Sequence, residues 1–370
     1  MVDQRPSLYS IHLSTARSWR GGENQIWLLA RGLKARGHKV LVLAPRGAPL
    51  LDRCYESGVP TRTFNLFHQF DPLAVLRLIG ILKREKPDVL HLHDGHSVLP
   101  GQLAARTISK STLKVVAHRR TVFKVRGRWK YRGRVDKIVA ISEAVRHCLL
   151  DAGVPDDGIR VAYSGLEFPE RLAADSVEAR SLRSREKIPP QALLIGHAAA
   201  LTSEKRQLDL LEALHQVNET LKVRGLEGVH LALAGDGVEE EQLRGAVHRL
   251  GLEAQVHFLG FVRDLRPLWA ATSLAMYVSE AEGLCTGLVE AQGAGLPAVV
   301  TKAGGMVEVV ADGKTGIHVG IGNISEMAAA ILRIHDDEGL RKEMSHAAAA
   351  HARLKFSADA MVDGILEAYR

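Results

Sequence analysis

A chain of 370 residues is longer than one hydrophobic core usually organises, which predicts two domains of about 150 to 200 residues each. Hydrophobic residues make up 46% and charged residues 25%, a balance that excludes the disordered and fibrous classes. The net charge of +7 is unevenly held: residues 1–166 carry 28 Lys and Arg against 13 Asp and Glu, a net +15, and residues 167–370 carry a net −8, so the halves are expected to face different partners.

In chain order, Met1 to Ser10 is charged and contains a proline where a secretory leader needs an apolar run, so the chain is expected in the cytoplasm. "LYSIHLS" then reads as a short buried strand, Gly21-Gly22 breaks it, and "ENQIWLLARGLKARG" has helical periodicity ending at Gly37. "HKVLVLAP", "PDVLHLHD", "LKVVAH" and "DKIVAIS" follow as strands separated by helical segments, which predicts a parallel sheet with right-handed crossovers. No apolar run approaches the roughly 20 residues that span a bilayer; Val75 to Leu82 and Leu296 to Val300 are the longest. A polar stretch ending in Pro189-Pro190 is the expected connection, and the pattern then restarts with "ALLIGHAAAL", "VHLALAGDG", "AQVHFLGF", "LAMYVS" and "PAVVTK". The expected organisation is 1–166 plus about 356–370 as one domain, 167–190 as linker and 191–355 as the second. Both domains are α/β and doubly wound, and they are expected to face a central cleft at the carboxyl ends of their sheets. Cys54, Cys148 and Cys285 are too widely spaced for a disulfide framework or a metal knuckle and read as reduced thiols.

"SEAEGLCTGLVEAQGAGLP", residues 279–297, places Glu282 before a helix that Thr286 or a neighbour is expected to cap, and Glu290 one turn inside it. A helix start presents free amides and a positive dipole end to an anion, and glycines at 283 and 287 leave room for close approach. A carboxylate accepts two hydrogen bonds and suits a vicinal diol. Two carboxylates flanking an anion site therefore fit a molecule with a diol at each end and phosphate between, the shape of a nucleotide sugar. Taken alone, such a pair is more often two solvated glutamates.

The surrounding words, "SEAEGLCTGLVEAQGAGLPAVVTKAGGMVEVVADGKTGIHV", resemble the signature region of family-four glycosyltransferases of the GT-B fold, with an E-x7-E pair, "EA", "G-LP", "GG--E" and "G-TG" in order. "SWRGGENQIWLLARGLKARGHKV", "DVLHLHD", "IVAISEAVR", "YSGLEF", "ALAGDG", "VHFLGFVRDL" and "FSADAMVDGILEAY" extend the resemblance over nearly the whole chain. It implies that Glu282 holds hydroxyls of the donor sugar and Glu290 the ribose diol, with Leu284, Cys285, Thr286 and Gly287 meeting the sugar and diphosphate. Backbone near Phe261 and Val262 would recognise the base. Gly21 and Gly22 would approach the donor phosphate or the acceptor, and the final helix from about Ser357 would return to the N-terminal domain. Lys205 matches the family lysine that neutralises the diphosphate; Ala200 stands where the family has arginine, so Arg206 or an N-domain cation is expected to supply that charge. Catalytic roles fall to His118, Lys205 and Glu282, with His118 at the carboxyl end of "LKVVAH" contacting donor sugar or acceptor. A catalytic thiol at Cys285 is not expected, because no general base pairs with it.

His91 and His93 alternate on a strand, so one of them is expected to face the core. No Asp-x-Asp or clustered His/Cys set with metal spacing occurs, so no metal and no cofactor beyond the nucleotide-sugar co-substrate is expected. The segment 118–137 holds nine Lys and Arg and one Asp, with Phe123, Trp129 and Tyr131 interleaved. Arg119, Arg120, Lys124, Arg126, Arg128 and Lys130 are expected to meet an anionic glycan or a membrane surface in preference to nucleic acid. Family membership implies retaining, metal-independent transfer to an anionic or lipid-linked acceptor such as a lipopolysaccharide core or surface polysaccharide, by a hexosyl- or N-acetylhexosaminyl-type enzyme peripheral on the inner membrane face. A GT-B nucleotide-sugar epimerase and a nucleic-acid binding protein are the alternatives.

Overall fold

A computed structural model describes residues 7–123, 131 and 133–370. It divides into an N-terminal unit, Met1–Leu166 with Phe356–Arg370, and a C-terminal unit, Glu167–Lys355.

The N-terminal unit runs β1 (Tyr9–Leu13), α1 (Gly21–Ala35), β2 (Lys39–Ala44), α2 (Pro49–Glu56), β3 (Thr61–Thr63), α3 (Pro72–Glu85), β4 (Val89–Leu92), α4 (Val98–Ala105), β5 (Lys114–Arg119), β6 (Lys137–Ala140), α5 (Glu143–Asp151) and β7 (Ile159–Val161). Its seven strands pair in the order β3-β2-β1-β4-β5-β6-β7, all parallel. The C-terminal unit runs α6 (Val177–Arg185), β8 (Leu194–Ala198), α7 (Gln207–Val223), β9 (His230–Ala234), α8 (Glu240–Leu250), β10 (Val256–Gly260), α9 (Arg266–Ala271), β11 (Leu274–Tyr277), α10 (Thr286–Gly293), β12 (Ala298–Thr301), α11 (Met306–Val309), β13 (Gly316–Val319), α12 (Ile324–Asp336) and α13 (Glu338–Phe356). Its sheet order is β10-β9-β8-β11-β12-β13, again all parallel. The last helix, α14 (Ala358–Ala368), belongs to the N-terminal unit.

Central strands such as β4 and β9 are buried at every residue, as expected when helices cover both faces of a parallel sheet. Helix starts are set by short polar caps: Asp71 accepts from the Ala74 amide at 2.9 Å, and Ser142, Ser176, Asn323 and Ser357 do the same for α5, α6, α12 and α14. Three strands escape the sequence pattern, because β3 and β7 are three residues long and β13 is only half-buried. The segment 167–190, expected as a linker, instead carries α6, and Arg183 at its end donates to the carbonyls of Ala271, Pro189 and Ala192.

Helix α14 packs Met361, Val362, Ile365 and Leu366 into one core with Ile26, Leu29 and Leu33 of α1. Gln25 holds the preceding turn by accepting from the Gly165 amide at 2.8 Å and donating to its carbonyl at 2.9 Å. A Cβ at Gly165 would meet the Ala358 Cα at 2.7 Å and the Ser357 carbonyl at 2.9 Å, both backbone atoms that cannot swing aside. Gly165→Ala is therefore expected to cost about 1–3 kcal/mol by overpacking. Hydrogen exchange should show α1 and α14 losing protection together; unchanged protection in both helices contradicts this packing.

Candidate functional site

In the C-terminal sheet the strand order reverses between β8 and β11, and open α/β sheets bind ligands beyond the carboxyl ends at such a point. Two loops meet there, 199–206 after β8 and 278–285 after β11. They are stitched by the Glu280 amide and the Ser279 hydroxyl, which donate to the Glu204 carbonyl at 3.0 and 2.9 Å. Across them Lys205 forms an ion pair with Glu282, both side chains largely buried. Burial alone pulls the Lys205 ammonium down, but Glu282, Cys285 and Glu204 outweigh it and hold the group above its ordinary value, so the lysine stays charged. The Glu282 carbonyl accepts from the Gly305 amide at 3.0 Å. Gly304 and Gly305 lie so close to the backbone of Glu282 and Gly283 that neither has room for a side chain, which is what the "GG" word does here.

Helix α10 begins at Thr286, with Cys285 rather than Thr286 at the cap position, in a left-handed backbone (φ 67°) and without a capping side-chain bond. Burial and the Glu282 carboxylate push the Cys285 thiol up to about 12, which removes it as a nucleophile at neutral pH. Leu284 is buried. At Gly287 a Cβ would meet the Ala198 carbonyl and the Tyr277 hydroxyl at 2.9 Å each, so packing within the protein already requires the glycine. Burial raises the Glu290 carboxyl above its usual range, opposed by the neighbouring Trp269 indole N–H, which is buried and makes no well-formed hydrogen bond. Both line a small, partly open pocket with Phe168, Arg171, Arg266 and Gly293. Phe261 and Val262 follow β10 at the far edge of the sheet, Phe261 exposed. Arg206 pairs its guanidinium with Asp209 at 2.7 Å and Glu280 at 2.9 Å, beside the loop that carries Ala200.

The N-terminal sheet reverses between β1 and β4, and this point is lined by imidazoles. His12 Nδ1 lies 2.9 Å from His93 Nε2, and His12 Nε2 lies 2.9 Å from the Ser10 hydroxyl. His91 Nδ1 lies 2.7 Å from the Tyr369 hydroxyl, and His91 Nε2 lies 3.3 Å from His118 Nδ1. His91 and His93 are both buried and stacked, centroids 4.0 Å apart, because residues two apart share one side of a strand. Burial drives His91, His93 and His118 well below the ordinary imidazole value and His12 down to about 3, so all four are neutral. His12, His91 and His93 are close enough to hold a metal ion, but their facing nitrogens are already bonded to one another or to protein donors, and the Arg120 guanidinium lies against His93. Gly21 and Gly22 are the first residues of α1; a Cβ at Gly21 would find no atom within 4 Å.

Arg120 is half-buried and turned onto protein groups. It donates to the His93 carbonyl at 2.6 Å, approaches His93 Nδ1 at 3.3 Å, and burial lowers it to about 10. Arg119 donates to the carbonyls of Thr121 and Phe123. Arg134, in the same basic segment, is buried against both oxygens of Asp136 and the Leu113 carbonyl. Protein groups order these three side chains. Lys124, Arg126, Arg128 and Lys130, with Trp129, lie outside the described residues.

Residues 178–351 match the family model described as glycosyl transferases group 1, and residues 19–168 match that of glycosyltransferase family 4. The chain belongs to the family-four glycosyltransferases of the GT-B fold. Among relatives of this glycosyltransferase, the lipopolysaccharide core biosynthesis glycosyltransferase LpsE of Rhizobium meliloti is 27% identical over 80% of this chain and 79% of its own. The N-acetyl-alpha-D-glucosaminyl L-malate synthase of Bacillus anthracis is 23% identical over 90% and 89%. The Anabaena HepE structure, in complex with UDP, superposes with a TM-score of 0.83 at 22% identity, covering 98% of this chain and 99% of that one.

Sequence reasoning missed His12, His197, Trp269 and Tyr369. His197 on β8 makes a 2.8 Å bond to the Met276 carbonyl, and burial lowers it to about 4. In the unfolded glycosyltransferase these imidazoles protonate near pH 6.5, while in the folded one they stay neutral far below it. The unfolded state therefore binds more protons below pH 6.5, and stability present above that pH is lost as pH falls. The slope is up to about 1.4 kcal/mol per pH unit for each such histidine. Urea midpoints measured from pH 7.5 to pH 5 should fall steadily below pH 6.5; a flat profile contradicts the neutral cluster.

Proposed function

We propose that this glycosyltransferase moves a sugar from a nucleotide-diphosphate sugar to a hydroxyl of an anionic or lipid-linked glycan, with retention of anomeric configuration and without a metal. The observation that carries the donor half is the charged Lys205 held against Glu282 at the reversal point of the C-terminal sheet. In this reading Lys205 and the free amides at the start of α10 stabilise the charge that develops on the departing diphosphate. Glu282 accepts from hydroxyls of the sugar and Glu290 from the ribose diol. The UDP named in the HepE complex supports a nucleotide-linked donor, and the name of LpsE supports a lipopolysaccharide-core acceptor. The same names support a hexosyl- or N-acetylhexosaminyl-type transfer only through relatives such as the mannosyltransferases and the malate synthase.

Incubation with a panel of nucleotide sugars, following nucleoside-diphosphate release with and without membrane extract, tests this. Acceptor-dependent release in the presence of EDTA is expected. Lys205→Ala and Glu282→Ala should each lower kcat by about 100-fold or more. Release of an epimerised nucleotide sugar without acceptor supports the epimerase, and binding of nucleic acid with no nucleotide-sugar binding supports the remaining alternative.

A peripheral membrane site is part of the reading. No described helix is long and apolar enough to cross a membrane. The start of α3 and the loop before it expose Phe67 (75%), Phe70 (61%), Leu73 (67%) and Leu76 (63%) within ten residues, alongside Arg77, Lys83 and Arg84. Apolar side chains beside cations suit an anionic lipid surface. Co-sedimentation with vesicles of anionic lipid is expected, and Phe67→Ser with Phe70→Ser should reduce it severalfold; equal binding to zwitterionic vesicles, or none to anionic ones, counts against a membrane site.

A further inference from the structure

The hydrogen bonds among the four buried histidines of the N-terminal unit have directions, and these follow from which groups can only donate. Arginine has no acceptor, so Arg120 makes His93 Nδ1 an acceptor and leaves the proton on His93 Nε2. That nitrogen then donates to His12 Nδ1, and His12 Nε2–H donates to the Ser10 hydroxyl. The second chain is fixed at Tyr369. Its hydroxyl is buried, and its one hydrogen bond among the described residues is to His91 Nδ1 at 2.7 Å. Were it to accept there, its own buried proton would face no acceptor among the described residues, an arrangement folded proteins avoid. Tyr369 therefore donates. His91 carries its proton on Nε2 and donates to His118 Nδ1, which places the His118 proton on Nε2.

We propose that Tyr369 and His91 are positioning residues that lock His118 in its Nε2–H tautomer, so that His118 donates a hydrogen bond to an oxygen of the substrate and does not serve as a base. The proposal rests on the reading of His118 as a residue that touches the donor sugar or the acceptor. Burial keeps the ring neutral, so the bonded network decides which nitrogen carries its single proton. The Tyr369 phenol, raised well above its ordinary value by burial, keeps its proton to give.

The test uses the full chain with 15N-labelled histidine, whose long-range 1H–15N correlations separate the two tautomers without any substrate. Wild-type His118 is expected as Nε2–H. Tyr369→Phe keeps the packing and removes the donor, so the His118 signal should move towards a mixture of tautomers and kcat/KM fall roughly tenfold, the scale of an outer partner of a functional imidazole. His91→Gln can accept from Tyr369 through its amide oxygen and donate to His118 through its amide nitrogen, so tautomer and turnover should both survive. His91→Leu should lose both. An Nδ1–H tautomer in the wild type, or one unchanged in both Tyr369→Phe and His91→Leu, overturns the relay. The wrong tautomer with intact turnover overturns the relay alone, whereas the expected tautomer without turnover on any nucleotide sugar overturns the transferase reading and the donor role with it.

Discussion

Parallel strands cannot be joined by tight turns, so every connection within a sheet is a crossover, and in each sheet the crossovers change side at one pair of strands. The pairs are β1 with β4 and β8 with β11. Only there do two neighbouring carboxyl ends send their loops apart and leave a crevice that helices do not fill. The chemically distinctive side chains of both units lie at these two places. Lys205 and Glu282 follow β8 and β11; His12, His91 and His93 end β1 and β4. The fold fixes where chemistry can occur, and residue type then decides what kind.

The two crevices are electrostatically opposite in design. The C-terminal one keeps charge: a lysine whose desolvation is outweighed by a nearby carboxylate stays cationic and available for an anion. The N-terminal one suppresses charge. Its imidazoles are held neutral by burial, and the cation that touches them, Arg120, is turned onto a carbonyl and a ring nitrogen instead of solvent. A neutral ring whose tautomer is fixed offers direction without net charge, which suits recognition of hydroxyl groups. Asp94 closes this edge by accepting from the Thr15 amide and hydroxyl and from the Ser97 amide, tying the end of β1 to the end of β4.

Most strands were legible because a doubly covered parallel strand is rich in apolar residues, as "VLVLA" of β2 and "LALA" of β9 are. What escaped was set by tertiary contact. "TRT" becomes β3 only because β2 lies beside it. Lys205 and Glu282 stood out in their motif words, yet their mutual pairing is a contact across 77 residues of chain. The partner of His91 is 278 residues away, and no spacing rule connects them. The protein partners of Arg120 and Arg134 were hidden for the same reason. A run of basic residues looks solvated in sequence, whereas a strand end and its following turn direct particular members inward. At Gly287 a glycine signals close approach, and that the approaching groups include the Ala198 carbonyl and the Tyr277 hydroxyl is a tertiary fact that no local spacing gives.

The placement of α14 bears on the order in which the chain becomes structured. The N-terminal unit needs Phe356–Arg370 for its α1 packing and for the Tyr369 hydroxyl, but 189 residues of the C-terminal unit are made in between. At about 5–20 residues per second, the first 166 residues wait roughly 10–40 s on the ribosome with the face of α1 uncovered. During that interval Ile26, Leu29 and Leu33 lack the partners that bury them. The C-terminal unit, contiguous in sequence, has no such delay, so the half that is synthesised second can be completed first.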